Sequence, residues 1–172
     1  MTRPRLLIIG HARHGKDTLA GFWRDEFGMT FQDSSYRSAE IFIFDALCDK
    51  YGYLTVEECY QDRVNHRSEW FDMISEYNKD DKARLAKDIM ATSDAYVGMR
   101  SSDEIAACRE QGVFDLVVWV DALERLPPEP ASSFDITRND ADVFIENNGF
   151  ENEFYHKSMA LGSLIFGGAV DV

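Results

Sequence analysis

Basic residues are scarce in this chain. It carries 18 Lys and Arg against 31 Asp and Glu over 172 residues, a formal net charge of -13. That deficit works against non-specific attraction to nucleic acid or an anionic membrane, and leaves any basic cleft to a few residues. Cysteine is sparse too. Cys48, Cys59 and Cys108 are odd in number and widely spaced, which argues against a disulfide framework or a zinc site and predicts reduced thiols. Long apolar runs are missing. The opening "MTRPRLLIIGH" is too short in its apolar core for a signal peptide, and "MALGSLIFGGAV" is too short to span a bilayer. The expectation is a cytoplasmic protein (host cytoplasm if the source is viral) with no membrane partner. Proline is rare, and three of the four prolines fall in "LERLPPEPASS", which marks a loop. There is no internal repeat. The length suits one domain over 1–172, as a monomer or a homodimer.

What is present alternates strands with helices. "RLLIIG" reads as a buried strand, and "KDTLAGFWRDEF" as a helix with Leu19, Phe22, Trp23 and Phe27 at helical spacing and Gly28 as its stop. "MTFQDSS" is a weaker strand, followed by a helical "YRSAEIFIFDALCDKYG" that ends at Gly52. Thr55 and Glu58 form a capping-box pattern, and "HRSEWFDMISEY" and "DKARLAKDIMA" carry helical periodicity. "DAYVGM", "FDLVVWVDA" and "DVFIENNG" read as strands, with a helix in "SSDEIAACREQG" and another in "FENEFYHKSMALGSLIF". This alternation predicts an α/β fold: a parallel sheet flanked by helices, with ligands at the carboxyl ends of the strands.

The first strand leads into "GHARHGKDTL". Gly10, four residues, Gly15 and Lys16 make the frame of a phosphate-binding loop, in the strand-loop-helix context that such a loop requires. Backbone N–H groups across Gly10, His11, Ala12, Arg13, His14 and Gly15 can converge on phosphate oxygens, and Lys16 can reach the transferring phosphate. Asp17 stands where a hydroxyl usually ligates magnesium, and Thr18 follows. A carboxylate is a hard Mg2+ ligand, so Asp17 and Thr18 are the expected metal and phosphate contacts.

The loop resembles the Gly-Lys-Asp-Thr form found in bacteriophage deoxynucleoside monophosphate kinases and related small-molecule kinases. "YVGMRSSDE", "VVWVDALERLP" and "ADVFIENNG" extend the likeness to about residue 150. The resemblance implies a three-layer P-loop kinase sandwich that uses ATP and Mg2+. It also implies a helical acceptor-binding insertion at about 51–91, a short lid at about 123–138, and an Asn-Gly turn with Asn148 beside the adenine. One departure is that "YVGMR" offers Gly98 and Met99 where such kinases place a Walker B carboxylate.

Phosphoryl transfer requires positioning and positive charge. Lys16 is the first such residue. Arg100, at a strand end, is expected to clamp the acceptor or the γ-phosphate, and Arg125, with Arg138, to close over the triphosphate. Arg37, Arg63, Arg67, Trp70, Phe71 and Tyr77 are acceptor-side candidates, although aromatics at helical spacing also fit a core. Asp33, ending the second strand, has two open readings: a base for a hydroxyl acceptor, or a cap for the next helix. His11, His66 and His156 read as structural.

The favoured function is ATP-dependent phosphorylation of a deoxynucleoside monophosphate. The alternative within the same family is phosphorylation of the hydroxymethyl group of 5-hydroxymethyluracil in DNA. A nucleotide-binding regulatory module without catalysis is the third reading.

Overall fold

Residues 3–167 are described by the structure, a computed structural model of the chain; the start of the first apolar stretch quoted above, 1–2, and the end of the second, 168–170, lie outside them. Five strands, β1 (Leu6–Ile9), β2 (Phe31–Asp33), β3 (Ala95–Val97), β4 (Leu116–Asp121) and β5 (Val143–Glu146), form one sheet in the order β2-β3-β1-β4-β5. All four pairings are parallel. Every residue of the central β1 is buried, because a parallel strand is covered on both faces. Its side chains alternate between two cores. Leu7 and Ile9 pack with Ile89, Ile105 and Trp119, whereas Leu6 and Ile8 pack with Leu19, Trp23, Val118 and Phe154. Helices α1 (Lys16–Phe27) and α8 (Glu151–Phe166) cover the second face, tied together by a hydrogen bond from Trp23 Nε1 to Ser158 O at 2.8 Å. Helices α6 (Arg84–Met90) and α7 (Ser102–Glu110) cover the first. The result is the expected three-layer α/β sandwich.

Between β2 and β3 the chain is helical: α2 (Ser34–Ser38), a π turn (Ala39–Ile43), α3 (Phe44–Tyr51), α4 (Val56–Asp62) and α5 (Arg67–Tyr77) precede α6. Both bonds of the capping box are made, Glu58 N to Thr55 Oγ1 and Thr55 N to Glu58 Oε2. The sequence reads Tyr36–Tyr51 as one regular helix; the π turn is the difference. Its extra residue lets Ile41 and Phe42 reach the core beneath the sheet, while Ala39 and Ile43 face a small core of the insertion itself. Among the described residues no helix is long and apolar enough to cross a membrane.

Because every strand runs the same way, the residues that follow them meet on one edge. Gly10–Gly15, Asp33, Gly98–Arg100, Ala122 and Asn147 all leave the sheet there, which is where open α/β sheets bind ligands.

Candidate active site

The loop after β1 turns with three residues at positive φ: Gly10 (+146°), Arg13 (+63°) and Gly15 (+104°). Close approach explains the glycines. A Cβ on Gly10 would lie 2.4 Å from Val120 O, and one on Gly15 would lie 2.4 Å from Asn147 Nδ2. The loop is held from behind by two long-range tethers. Asn147 Nδ2 donates to His14 O at 2.9 Å, and Ala122 N donates to His14 Nδ1 at 3.1 Å. His14 is fully buried, and burial pushes its imidazole pKa down. It serves as a strut beneath the loop, with its own N–H donated to His11 O at 3.2 Å. His11 is also inward, 4.6 Å from the Phe134 ring centre, and burial, then His14, lower its pKa. Arg13 and Ala12 remain exposed.

Lys16 opens α1, and its Nζ donates to His11 O at 2.9 Å. Burial lowers its pKa, while Asp17 and then Glu129 pull it back up. The ammonium is thus held under the loop with acidic groups around it. Asp17 and Thr18 reach solvent. Even so, the protein around Asp17, and secondarily the charge of Asp33, raise its carboxyl pKa.

Asp33 turns out to satisfy one of its readings without losing the other. Its Oδ1 accepts from Tyr36 N at 2.9 Å, the cap of α2, while among the described residues Oδ2 has no hydrogen-bond donor. Its charge is felt at Asp17, Lys16 and Tyr60. A like-charged carboxylate pair beside an ammonium suits Mg2+, which takes one or two protein carboxylates and fills the rest of its shell with phosphate oxygens and water. Asp17 and Asp33 would hold it. Among the described residues no three His, Cys, Asp or Glu side chains form a self-sufficient metal cage. The neighbouring strand end, β2, thus carries a carboxylate where the end of β3 carries none.

The basic residues divide. Arg100 is exposed and pairs with Glu129 rather than with Asp103 or Glu104. Arg125 Nε donates to Asn147 O, and its side chain lines a cavity of about 350 Å³ together with Thr18, Asn147, Gly149, Glu151 and Phe154. Asn148 Oδ1 accepts from Glu124 N at 3.2 Å and so clips the start of the 123–138 segment to the β5 turn. Arg138 stacks 3.3 Å from the centre of the Phe144 ring instead of joining Arg125 over the loop. On the helices between β2 and β3, Arg37 pairs with Glu40 at 3.0 Å, its Nε buried without a hydrogen-bond partner among the described residues, and Arg67 is exposed at the start of α5.

Trp70 is a correction. It is only 4% exposed and packs with Ala39, Ile43, Leu47 and Cys59, so its face is not available to stack on a base. The apolar insertion needs a core of its own, and the largest side chain fills it. Tyr77 likewise stacks on Phe42, 4.3 Å between centres. The aromatic that does face the carboxylates is Tyr60, with Tyr36 edge-on at 5.1 Å and the Arg63 guanidinium 3.8 Å from its ring centre. Nothing in the local sequence singles out Tyr60; its position depends on the turn at 52–55.

No protein-family model and no curated protein matches the chain. Among solved structures it is similar to shikimate kinase from Bacteroides thetaiotaomicron, at 10% identity over 94% of this chain and 97% of that one, TM-score 0.50. It is also similar to shikimate kinase from Aquifex aeolicus vf5, at 18% identity over 95% of this chain and 99% of that one, TM-score 0.48. The APS kinase of Mycobacterium tuberculosis is 14% identical over 94% and 98% of the two chains, TM-score 0.43. At 10% identity the first of these likenesses bears on the fold alone, an α/β sandwich built on a parallel sheet.

Proposed function

We propose that this protein is an ATP- and Mg2+-dependent phosphotransferase acting on a deoxynucleotide-type acceptor, in the favoured case converting a deoxynucleoside monophosphate to the diphosphate. The observation that carries the reading is Lys16 held at the head of α1 under a left-handed glycine loop, flanked by Asp17 and Asp33 on one strand edge. Bound magnesium would neutralise charge on the transferring group. The chain supplies the rest. The loop's N–H groups and the dipole of α1 orient the triphosphate, Lys16 offsets charge on its terminal oxygens, and Arg100 is within reach of the same loop through Glu129. The cavity bordered by Thr18, Arg125 and Asn147 is the place for the nucleoside of the donor. The acceptor enters from the insertion side, past Tyr60 and Arg63.

A second reading, phosphorylation of the hydroxymethyl group of 5-hydroxymethyluracil in DNA, is favoured by one specific observation: among the described residues the second oxygen of Asp33 has no donor, and in this reading it acts as the base while Asp17 alone would hold the metal. A hydroxyl acceptor must lose its proton, and a carboxylate at that point can take it. A monophosphate oxygen is already ionised and needs no base. Labelled ATP with magnesium, offered to a panel of deoxynucleoside monophosphates and to hydroxymethyluracil-containing DNA, separates the two. With a monophosphate acceptor, Asp33→Asn keeps most of its turnover after magnesium is raised. With a hydroxyl acceptor it loses on the order of a hundredfold or more. Asn remains an adequate cap for α2, so the fold is preserved in either case. Absence of label from every acceptor overturns both readings.

A further inference from the structure

The 123–138 segment places an acidic side chain in the phosphate loop. Glu129 Oε2 accepts from Ala12 N at 2.8 Å, and its Oε1 pairs with Arg100. Its own backbone N donates to His11 Nδ1 at 3.1 Å. The side chain is only 16% exposed, although the residues on either side, Pro128 and Pro130, are exposed. Lys16 feels its charge as an attraction. A backbone N–H of the loop and an arginine fork are the groups that a phosphate oxygen would use. Here a carboxylate has taken them.

We propose that Glu129 is a built-in occupant of the phosphate site, which the phosphates of an incoming nucleotide must expel. The inference rests on the nucleotide-binding part of the function above and is independent of the acceptor.

The segment is constructed for this role. Pro127, Pro128 and Pro130 surround Glu129 and fix φ along its path, so the carboxylate is delivered with little conformational freedom to lose. Both ends are anchored. Ala122 O accepts from Arg125 N and Leu126 N at one end, and buried Phe134 and Ile136 seat the other in the core. Between the anchors Glu129 N is tied to His11 Nδ1, and Pro130 O accepts from Ser133 N and Phe134 N, so the carboxylate leaves by rotation of the Glu129 side chain. Two anions cannot share the single Ala12 N–H, so a phosphate oxygen that takes it breaks the Glu129 Oε2 contact. Glu129 engages one nitrogen of Arg100, and its departure frees the whole fork for the ligand. In a chain of net charge -13, the plug keeps the few cations of this edge paired while no nucleotide is bound.

Isothermal titration of ATP with magnesium, and separately of inorganic pyrophosphate, into wild type, Glu129→Gln and Glu129→Ala tests this. Both variants leave the loop without a competing charge. The expected result is tighter binding of both probes by roughly tenfold, the factor that corresponds to about 1.4 kcal/mol, with thermal unfolding of the free variants close to wild type. The glutamine variant retains an acceptor for Ala12 N–H, so its gain isolates the charge. If wild type binds ATP and the variants bind no tighter, or more weakly, the plug is refuted while the nucleotide reading stands. If neither wild type nor variants bind either probe, both fall.

Discussion

Replacing Gly15 with Ala should damage the phosphate loop through a route whose size follows from the coordinates. At φ +104° the added Cβ costs about 1–2 kcal/mol, the penalty of a left-handed backbone for an L-residue. It would also lie 2.4 Å from Asn147 Nδ2. Asn147 must move, and its bond to His14 O is lost between two buried groups, one fully buried and the other 8% exposed. Leaving such a carbonyl unsatisfied costs about 1–3 kcal/mol. The total, roughly 2–5 kcal/mol, is a large share of the 5–15 kcal/mol typical of a domain. Urea unfolding of Gly15→Ala, Asn147→Ala and the double variant measures it. Both single variants lose the same bond, so the double variant should be less destabilised than their sum. Strict additivity, or a Gly15→Ala change within about 0.5 kcal/mol of wild type, would show that Asn147 is not the tether of the loop.

Asp17→Asn should raise the magnesium concentration needed for activity, and should also stabilise the free protein. The folded pKa of Asp17 lies above its ordinary 3.8. On raising the pH the unfolded chain therefore loses this proton first, and the ionised carboxylate weakens folding at neutral pH. The gain in Tm for the Asn variant should be present at pH 7 and fade below about pH 4; a lower Tm at pH 7 contradicts the raised pKa. Trp70→Phe should lower stability, since it empties part of the insertion core, while the acceptor KM stays unchanged. A KM rise without loss of stability would return Trp70 to the acceptor site.

Local signals carried most of the fold. Helix α1 begins and ends where Lys16 and Gly28 place it, because a phosphate-loop start and a left-handed stop are both written in neighbouring residues. The Thr55–Glu58 box is equally local, and β1 announces itself by having no polar residue at all. The site was legible to the extent that it lies in one stretch, from Gly10 to Thr18. Its supports were not. Asn147 reaches His14 across 133 residues, and Glu129 reaches Ala12 across 117. Such partners are chosen by the order in which strands assemble, and a turn-like "ENNG" looks the same with or without a loop to hold. Trp70 was ambiguous for a related reason: periodicity marks an apolar face but does not say whether protein or ligand covers it.

In the proposed function, Lys16 and its loop bind and transfer the terminal phosphate of ATP. This is tested most directly by measuring label transfer from γ-labelled ATP with magnesium for wild type and Lys16→Ala, alongside circular dichroism of both. The expected result is transfer by wild type and a loss on the order of a hundredfold or more in the variant, with the two spectra superimposable. Transfer by Lys16→Ala at the wild-type rate would contradict it, as would a wild-type protein that neither binds ATP nor moves its label to any acceptor.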